Sequence, residues 1–306
     1  MQILTTKAKP FLKWAGGKGQ LLEQITSYFP AGLERGAVKC YVEPFVGGGA
    51  MFFHIAQQFT IEEFFLADVN EELVLAYTTL QRDVEGLIDA LSAMQGRYRS
   101  LSLAAQKDMF YEVRSEFNES RSAISFASYN SSWIRRTAQI IFLNRTCFNG
   151  LFRVNSKAQY NVPFGRYVNP MICQEENLRG VAGVLQRAQI RYGDFTACAE
   201  YVDNTTFVYF DPPYRPISKS ASFTSYARQE FNDAEQLRLA SFYRQLHNTG
   251  AKLMLSNSDP KNKDRNDHFF EEAYRGFRIE RVKATRNINS NGQKRGAIAE
   301  LLIMNY

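Results

Sequence analysis

At 306 residues, with 45% hydrophobic and 22% charged residues, the chain has the composition of an ordinary globular protein, long enough for one large domain or two. No uncharged apolar run approaches the roughly 18 residues a membrane span needs, and Lys7, Lys9 and Lys13 stand where a signal peptide would be apolar, so a cytoplasmic protein is expected. Cys40, Cys147, Cys173 and Cys198 are isolated and only three histidines accompany them, which argues for reduced thiols and against a metal site, while the net charge of +6 is modest but unevenly spread.

In chain order, the first segment with chemical content is Phe11-Leu12-Lys13-Trp14-Ala15-Gly16-Gly17-Lys18. Trp14 offers a face that stacks on or closes over an aromatic group, and Gly16-Gly17 lets the backbone approach a ligand. A plain loop before a helix starting near Gln20 would read the same way. The apolar run Cys40 to Phe45 predicts a strand, Gly47-Gly48-Gly49 a turn, and Ala50 to Ala56 a helix. A second run, Ile61 to Ala67, ends at Asp68, about 20 residues past the glycines, where a nucleotide-binding βαβ unit places the acid that meets ribose hydroxyls. A dinucleotide would use the same turn.

Residues 72 to 135 read as helical, with apolar residues at Met109, Phe110, Val113 and Phe117. Between Glu119 and Glu175 there is no acid at all, while Arg121, Arg135, Arg136, Arg145, Arg153, Lys157 and Arg166 fall inside. Phe126, Tyr129, Trp133, Phe142, Phe148, Phe152, Tyr160, Phe164 and Tyr167 interleave with them. Such a one-signed field with aromatics suits a polyanion whose bases are also touched, although a solvated basic face has the same composition. Within it, Phe148-Asn149-Gly150-Leu151 carries the Asn-Gly signal of a tight turn. A second acid-free stretch, Arg281 to Ala299, holds Lys283, Arg286, Lys294 and Arg295.

The strand pattern resumes at Ala188 to Tyr192, ending in Gly193-Asp194-Phe195, and at Thr206 to Phe210, which runs into Asp211-Pro212-Pro213-Tyr214. Chemistry in open α/β sheets sits just outside such strand ends. Asp211 accepts from an N–H, two prolines fix the chain so that the Pro212 carbonyl aims at the same nitrogen, and Tyr214 gives a stacking face. Two acceptors beside a stacking platform suit a flat ring bearing an amino group, although X-Pro-Pro also favours a plain turn. Ser218 to Asn232, with Phe223 and Tyr226, reads equally as a loop closing over the site or as a mere connection. A helix follows from Asp233 to His247, capped by Asn232 with Glu235 three residues on and Gly250 beyond its end. Lys252 to Ser256 predicts a further strand, and Arg278 to Lys283 with Ile298 to Met304 a closing antiparallel pair around Asn291-Gly292.

Four of these segments, Lys13 to Lys18, Glu43-Pro44-Phe45-Val46-Gly47-Gly48-Gly49, Asp68 and Asp211 to Tyr214, occur in an order that resembles the DNA adenine N6-methyltransferases of the Dam family. The likeness covers nearly the whole chain. It includes Phe142-Leu143-Asn144-Arg145, Phe148 to Arg153, Asn161-Val162-Pro163-Phe164-Gly165-Arg166-Tyr167 and Ser290-Asn291-Gly292. The resemblance implies a Rossmann-like, S-adenosylmethionine-dependent α/β methyltransferase sheet, residues 1–74 and 169–306, interrupted by a mainly helical target-recognition domain, 75–168, carrying a β-hairpin. It implies cofactor contacts at Trp14, Ala15, Gly16, Gly17, Lys18, Asp68 and Asp211, a wall from Glu43 and Pro44 to Gly49, and Asp194-Phe195 near the adenine. Asp211, Pro212, Pro213 and Tyr214 become the catalytic set, acting without metal on a base flipped out of duplex DNA.

For the DNA, the resemblance makes Leu151, Arg153 and Pro163 base-edge readers, Phe148 a wedge beside Asn149, and Lys13 a further base contact. Arg114, Arg145, Arg166 and Tyr167 look like backbone or positioning contacts, and GATC is the suggested site. Thr146-Cys147 before Phe148, and Phe152 before Arg153, depart from common family patterns. An RNA or protein-glutamine methyltransferase, or an inactive DNA-binding homologue, are the rival readings. The acid-free insertion favours nucleic acid over protein, and intact Trp14, Lys18, Asp68 and Asp211 favour an active enzyme. A monomer is expected.

Overall fold

Seven strands form one sheet: β1 (Cys40–Glu43), β2 (Glu63–Asp68), β3 (Ala188–Tyr192), β4 (Thr206–Phe210), β5 (Lys252–Ser258), β6 (Arg278–Thr285) and β7 (Ala297–Met304). A computed structural model of the chain describes residues 7–14, 16, 18, 21–215, 231–285 and 297–306. The strand order is β3-β2-β1-β4-β5-β7-β6. The first five strands run parallel, and β7 is antiparallel to both β5 and β6. From β1 the order runs outward in both directions, so a crevice opens between the carboxyl ends of β1 and β4.

Parallel strands covered on both faces read as continuous apolar runs, and alternation then sends neighbours to opposite cores. Tyr41, Phe64, Phe207 and Tyr209 enter one apolar cluster, whereas Val42, Phe65, Val208 and Phe210 enter the other. Helix α1 (Leu22–Thr26) precedes the sheet, and α2 (Ala50–Gln58) follows the glycine turn. Then come α3 (Glu71–Arg82), α4 (Val84–Ser100), α5 (Leu103–Glu119), α6 (Ser132–Thr146) and α7 (Glu175–Leu185). Helices α8 (Asp233–His247) and α9 (Phe269–Ala273) lie against the second face, where Leu239, Tyr243 and Phe270 join its core.

Local chemistry sets several of these boundaries. The Asn70 side chain accepts from the amides of Glu72 and Leu73, Asp83 from Gly86 and Asn232 from Glu235, so each helix begins where a short polar side chain satisfies its first N–H groups. The helices of 75–168 do not form a separate core. Tyr98, Phe110, Trp133 and Phe142 share one cluster with the sheet residues Tyr41 and Phe207, and the 74/75 division falls inside α3.

Several expectations change here. Helix extends to Thr146, beyond the expected end near 135. Asn149-Gly150 makes the expected tight turn, with φ of 57° and 64° and the Gly150 and Leu151 N–H groups donating to the Cys147 and Phe148 carbonyls. The hairpin itself reverses further on, at Asn155 to Gln159, where Asn155 N–H donates to the Gln159 carbonyl and the Asn155 side chain accepts from the amides of Lys157 and Gln159. The hairpin arms are joined by the bridges Cys147–Phe164 and Val154–Tyr160 and by single backbone bonds such as Asn161 N–H to the Arg153 carbonyl and Phe148 N–H to the Pro163 carbonyl, without a continuous ladder among the described residues. Strand β5 continues to Ser258, and Asn291-Gly292, with the rest of the β6–β7 connection, lies outside the described residues.

The acid-free run is not a one-signed surface in space. Arg121 pairs with Glu71 and Glu72, Arg135 with Glu116, and buried Arg136 with Glu72 at 2.5 Å. Trp133, Phe142, Phe152, Tyr160 and Phe164 are core residues. Acids distant in sequence fold back onto these cations, and the aromatics fill the space between helices. Arg153, Lys157, Arg166 and Phe148 stay exposed.

Candidate active site

A cleft of about 1320 Å³ opens at the crevice, lined by the Lys13–Lys18 segment, the ends of β1 to β4 and the start of α8. Its floor is the glycine turn. Gly47 and Gly49 have φ of 47° and 71°, a region that side chains with a Cβ avoid. A Cβ on Gly47 or Gly48 would stand 3.0 Å from Trp14, and one on Gly49 2.4 Å from the Tyr77 hydroxyl. Trp14 therefore lies directly on the turn, and its ring stacks on Phe152 at 5.4 Å. Phe45 and Val46 line the cleft, whereas Pro44 is buried behind them.

Parallel pairing of β1 with β2 delivers Asp68 beside that turn. Its carboxylate accepts from Gly47 N–H at 3.1 Å and Asn70 N–H at 2.9 Å, and burial pushes its pKa up to about 6. Opposite, Phe45, Phe195 and Phe231 form an aromatic wall, with Phe45 5.6 Å from Phe195 and 5.7 Å from Phe231. Asp194 does not face the ligand space alone: its carboxylate pairs with Arg238 and caps Thr196. A carboxylate beside a close-packed glycine turn, facing an aromatic slot, fits a nucleoside.

Asp211, at the end of β4, accepts from Ser256 at 2.8 Å and forms an ion pair with Lys18 at 2.7 Å, all through Oδ1. Its Oδ2 bonds to none of the described residues. Pro213's carbonyl is taken by Gln236 at 3.0 Å, while Pro212's carbonyl accepts from none of the described residues. Two acceptors are thus left on offer, next to the Tyr214 ring. The Tyr214 hydroxyl donates to Glu300 at 2.5 Å and accepts from Lys18. Burial pushes the Tyr214 pKa well up, so the phenol keeps its proton. Beneath, Glu43 accepts from Tyr41 at 2.8 Å, and burial raises its pKa strongly.

Ala15 and Gly17 lie outside the described residues, as do Phe223, Tyr226 and most of the Ser218–Asn232 segment; Gly16 and Lys18 line the cleft. Around the hairpin, Phe148 is 52% exposed, and Asn149, Arg153, Pro163 and Arg166 are exposed, with Leu151 half-buried. Asn161 accepts from Arg153 Nε at 2.8 Å, and the terminal nitrogens of that guanidinium bond to none of the described residues. Lys13 Nζ lies 5.2 Å from the Tyr167 ring. Arg114 donates to the Val162 carbonyl, and Arg145 donates to the Phe11 carbonyl and the Gln174 side chain. Both of these arginines are half-buried and hold neighbouring loops through these bonds.

The sequence reading did not mark Phe231, Arg238, Gln236, Ser256 or Glu300. Ser256 and Glu300 are polar residues within apolar strands, which is a signal in itself; the others gain meaning only when α8 is laid beside the tetrapeptide.

A largely parallel sheet with a cleft at its switch point and Asp211-Pro212-Pro213-Tyr214 at the adjacent strand end is the architecture of a Rossmann-like methyltransferase. Residues 14–288 match the family model described as D12 class N6 adenine-specific DNA methyltransferase. The chain is 48% identical over 301 residues to the type II methyltransferase M.MjaIII of Methanocaldococcus jannaschii, covering 98% of this chain and all of that one. It is 36% identical to the type II methyltransferase M1.LlaDCHI of Lactococcus lactis subsp. cremoris, over 97% of this chain and 95% of the relative. Similarity to the DNA adenine methylase of Haemophilus influenzae is 34% over 97% and 93%. The chain belongs to the D12 class of N6 adenine-specific DNA methyltransferases.

Proposed function

We propose that this enzyme transfers the methyl group of S-adenosylmethionine to N6 of an adenine flipped out of duplex DNA, within GATC. The observation that carries the reading is the pair of acceptors with no hydrogen-bond partner among the described residues, Asp211 Oδ2 and the Pro212 carbonyl, beside Tyr214 in a cleft also lined by Asp68 and the aromatic wall. At about 1320 Å³ the cleft exceeds the roughly 300–1,000 Å³ usual for one small molecule, in keeping with a cofactor and a base together.

Bound there, S-adenosylmethionine supplies an electrophilic methyl on a sulfonium. Asp68 accepts from ribose hydroxyls, Trp14 and the glycine turn enclose the donor, and Phe45, Phe195 and Phe231 flank its purine. The adenine amino lone pair is delocalised into the ring and nucleophilically weak. Asp211 and Pro212 accept from its two hydrogens, an arrangement that gains strength as positive charge develops on nitrogen. Tyr214 stacks on the base, offsetting part of the few kcal/mol that flipping costs. Lys18, now on Oδ1, leaves Oδ2 to the amine.

The segment 75–168 presents the hairpin to DNA. Arg153 reads a guanine edge, Leu151 and Pro163 meet apolar base edges, and Phe148 enters the stack. Incubating the protein with labelled S-adenosylmethionine and a duplex library, then mapping methylated bases, tests all of this. Label at the adenine of GATC is expected; label at other adenines refutes the site, and label on cytosine or on none of the DNA refutes the reaction.

A further inference from the structure

A stacking platform needs only an aromatic ring, which phenylalanine would provide. The tetrapeptide carries tyrosine instead, and its hydroxyl is buried among charged groups. A buried hydroxyl without partners is costly, so its partners define what it does. The Tyr214 hydroxyl donates to Glu300 Oε2 at 2.5 Å and accepts from Lys18 Nζ. Glu300 comes from β7, where it pairs across the ladder with Ser258 of β5 and Val282 of β6. It is an acid on the strand face that otherwise carries Leu302 and Met304 into the core.

Glu300 could be there simply to neutralise Lys18. The distances say otherwise: Lys18 lies 2.7 Å from Asp211 but 3.9 Å from Glu300, so Asp211 is its counter-ion and the phenol is the nearest partner of Glu300. A tyrosine ring turns broadly about its Cβ–Cγ axis, because that torsion is soft. The hydroxyl lies on that axis, but a phenol's O–H prefers the plane of its ring, so a donor on the N-terminal segment and an acceptor on β7 anchor the far end of the ring and favour one plane for it. Asp211 and Tyr214 are thereby held to a common frame through Lys18.

We propose that Glu300 is a positioning residue for methyl transfer, fixing through the Tyr214 hydroxyl the plane of the ring against which the target base stacks. This rests on the reading of Tyr214 as that platform. The experiment is a double-mutant cycle on single-turnover methyl transfer from S-adenosylmethionine to duplex DNA, with cofactor affinity measured alongside. Glu300→Ala and Tyr214→Phe should each slow transfer about ten- to a hundredfold, the range set by one hydrogen bond to a charged group. The double variant should be no slower than the slower single, because both substitutions remove the same contact. Glu300→Gln, whose amide oxygen still accepts from the phenol, should restore most of the rate, and cofactor affinity should hold throughout.

Additive losses, or a wild-type rate for Glu300→Ala, overturn the proposal. Should Glu300→Ala fail to fold, Tyr214→Phe decides alone, since a wild-type rate there also overturns it. Tyr214→Ala separates the two layers: if it transfers normally, the stacking platform itself is wrong, whereas loss of activity combined with additivity in the cycle removes only the role of Glu300.

Discussion

The two oxygens of Asp211 differ in their surroundings. Oδ1 is held by Ser256 and Lys18, whereas Oδ2 bonds to none of the described residues, which is the basis for proposing it as the acceptor for the substrate amine. Asp211→Ala should therefore cut transfer by at least about 10²- to 10³-fold, as loss of one preorganised electrostatic partner does, with DNA affinity in a gel-shift assay little changed. Asp68 supplies a pH test. Burial holds its pKa near 6 against an ordinary 3.8, so the folded state keeps a proton that the unfolded chain releases between these values. The associated stability is present in full below pH 3.8 and is lost as pH rises to about 6. Cofactor binding runs the other way, because only the ionised carboxylate offers all its lone pairs to hydroxyls. Titrated calorimetrically, S-adenosylmethionine affinity should weaken as pH falls through 6, and Asp68→Asn should flatten that step; an unchanged pH profile in the variant would assign the step elsewhere. Asp68 and Asp211 were both legible in the sequence, because each sits directly after an apolar run. Glu300 was not, since its meaning depends on a residue 86 positions away.

At the scale of elements, strands β3 and β4 and helix α8 have the bounds that apolar runs and the Asn232 cap predict. The reversal of the hairpin at Asn155 to Gln159 carries no such contiguous signal, because its arms are joined by residues apart in sequence, such as Asn161 with Arg153 and Cys147 with Phe164. Arg153 emerges near its tip with Asn161 holding Nε. Arg153→Ala should cost about 1–3 kcal/mol at one base pair and relax discrimination there, measured by transfer rates on duplexes substituted at each position. Equal weakening on every duplex would instead make it a phosphate contact. Where α3 meets α6, buried Arg136 and Glu72 form an ion pair that Arg121 shares. Removing one partner strands the other, so Arg136→Ala should destabilise the fold by about 3–5 kcal/mol in urea titration, and a change within error would show that Arg121 compensates.

On the whole molecule, the distribution of charge decides how DNA is held. Arg135 is spent on Glu116, whereas no ion-pair partner of Lys157 stands among the described residues. Lys157→Ala should thus lower the slope of log affinity against log salt by about 1, and Arg135→Ala should leave it nearly unchanged. Equal slopes for the two variants would refute the distinction. The sequence by itself determined the strands, the glycine turn, the acids at strand ends and the family likeness, because all are written in contiguous residues whose chemistry is local. Tertiary structure alone decided which cations stay exposed, that the helices of 75–168 share the core of the sheet, that Arg114 and Arg145 bond to neighbouring loops, and which oxygens of the tetrapeptide bond to other described residues. Each of these is settled by a partner far away along the chain, and burial and pairing energies take effect only once the fold brings the two together.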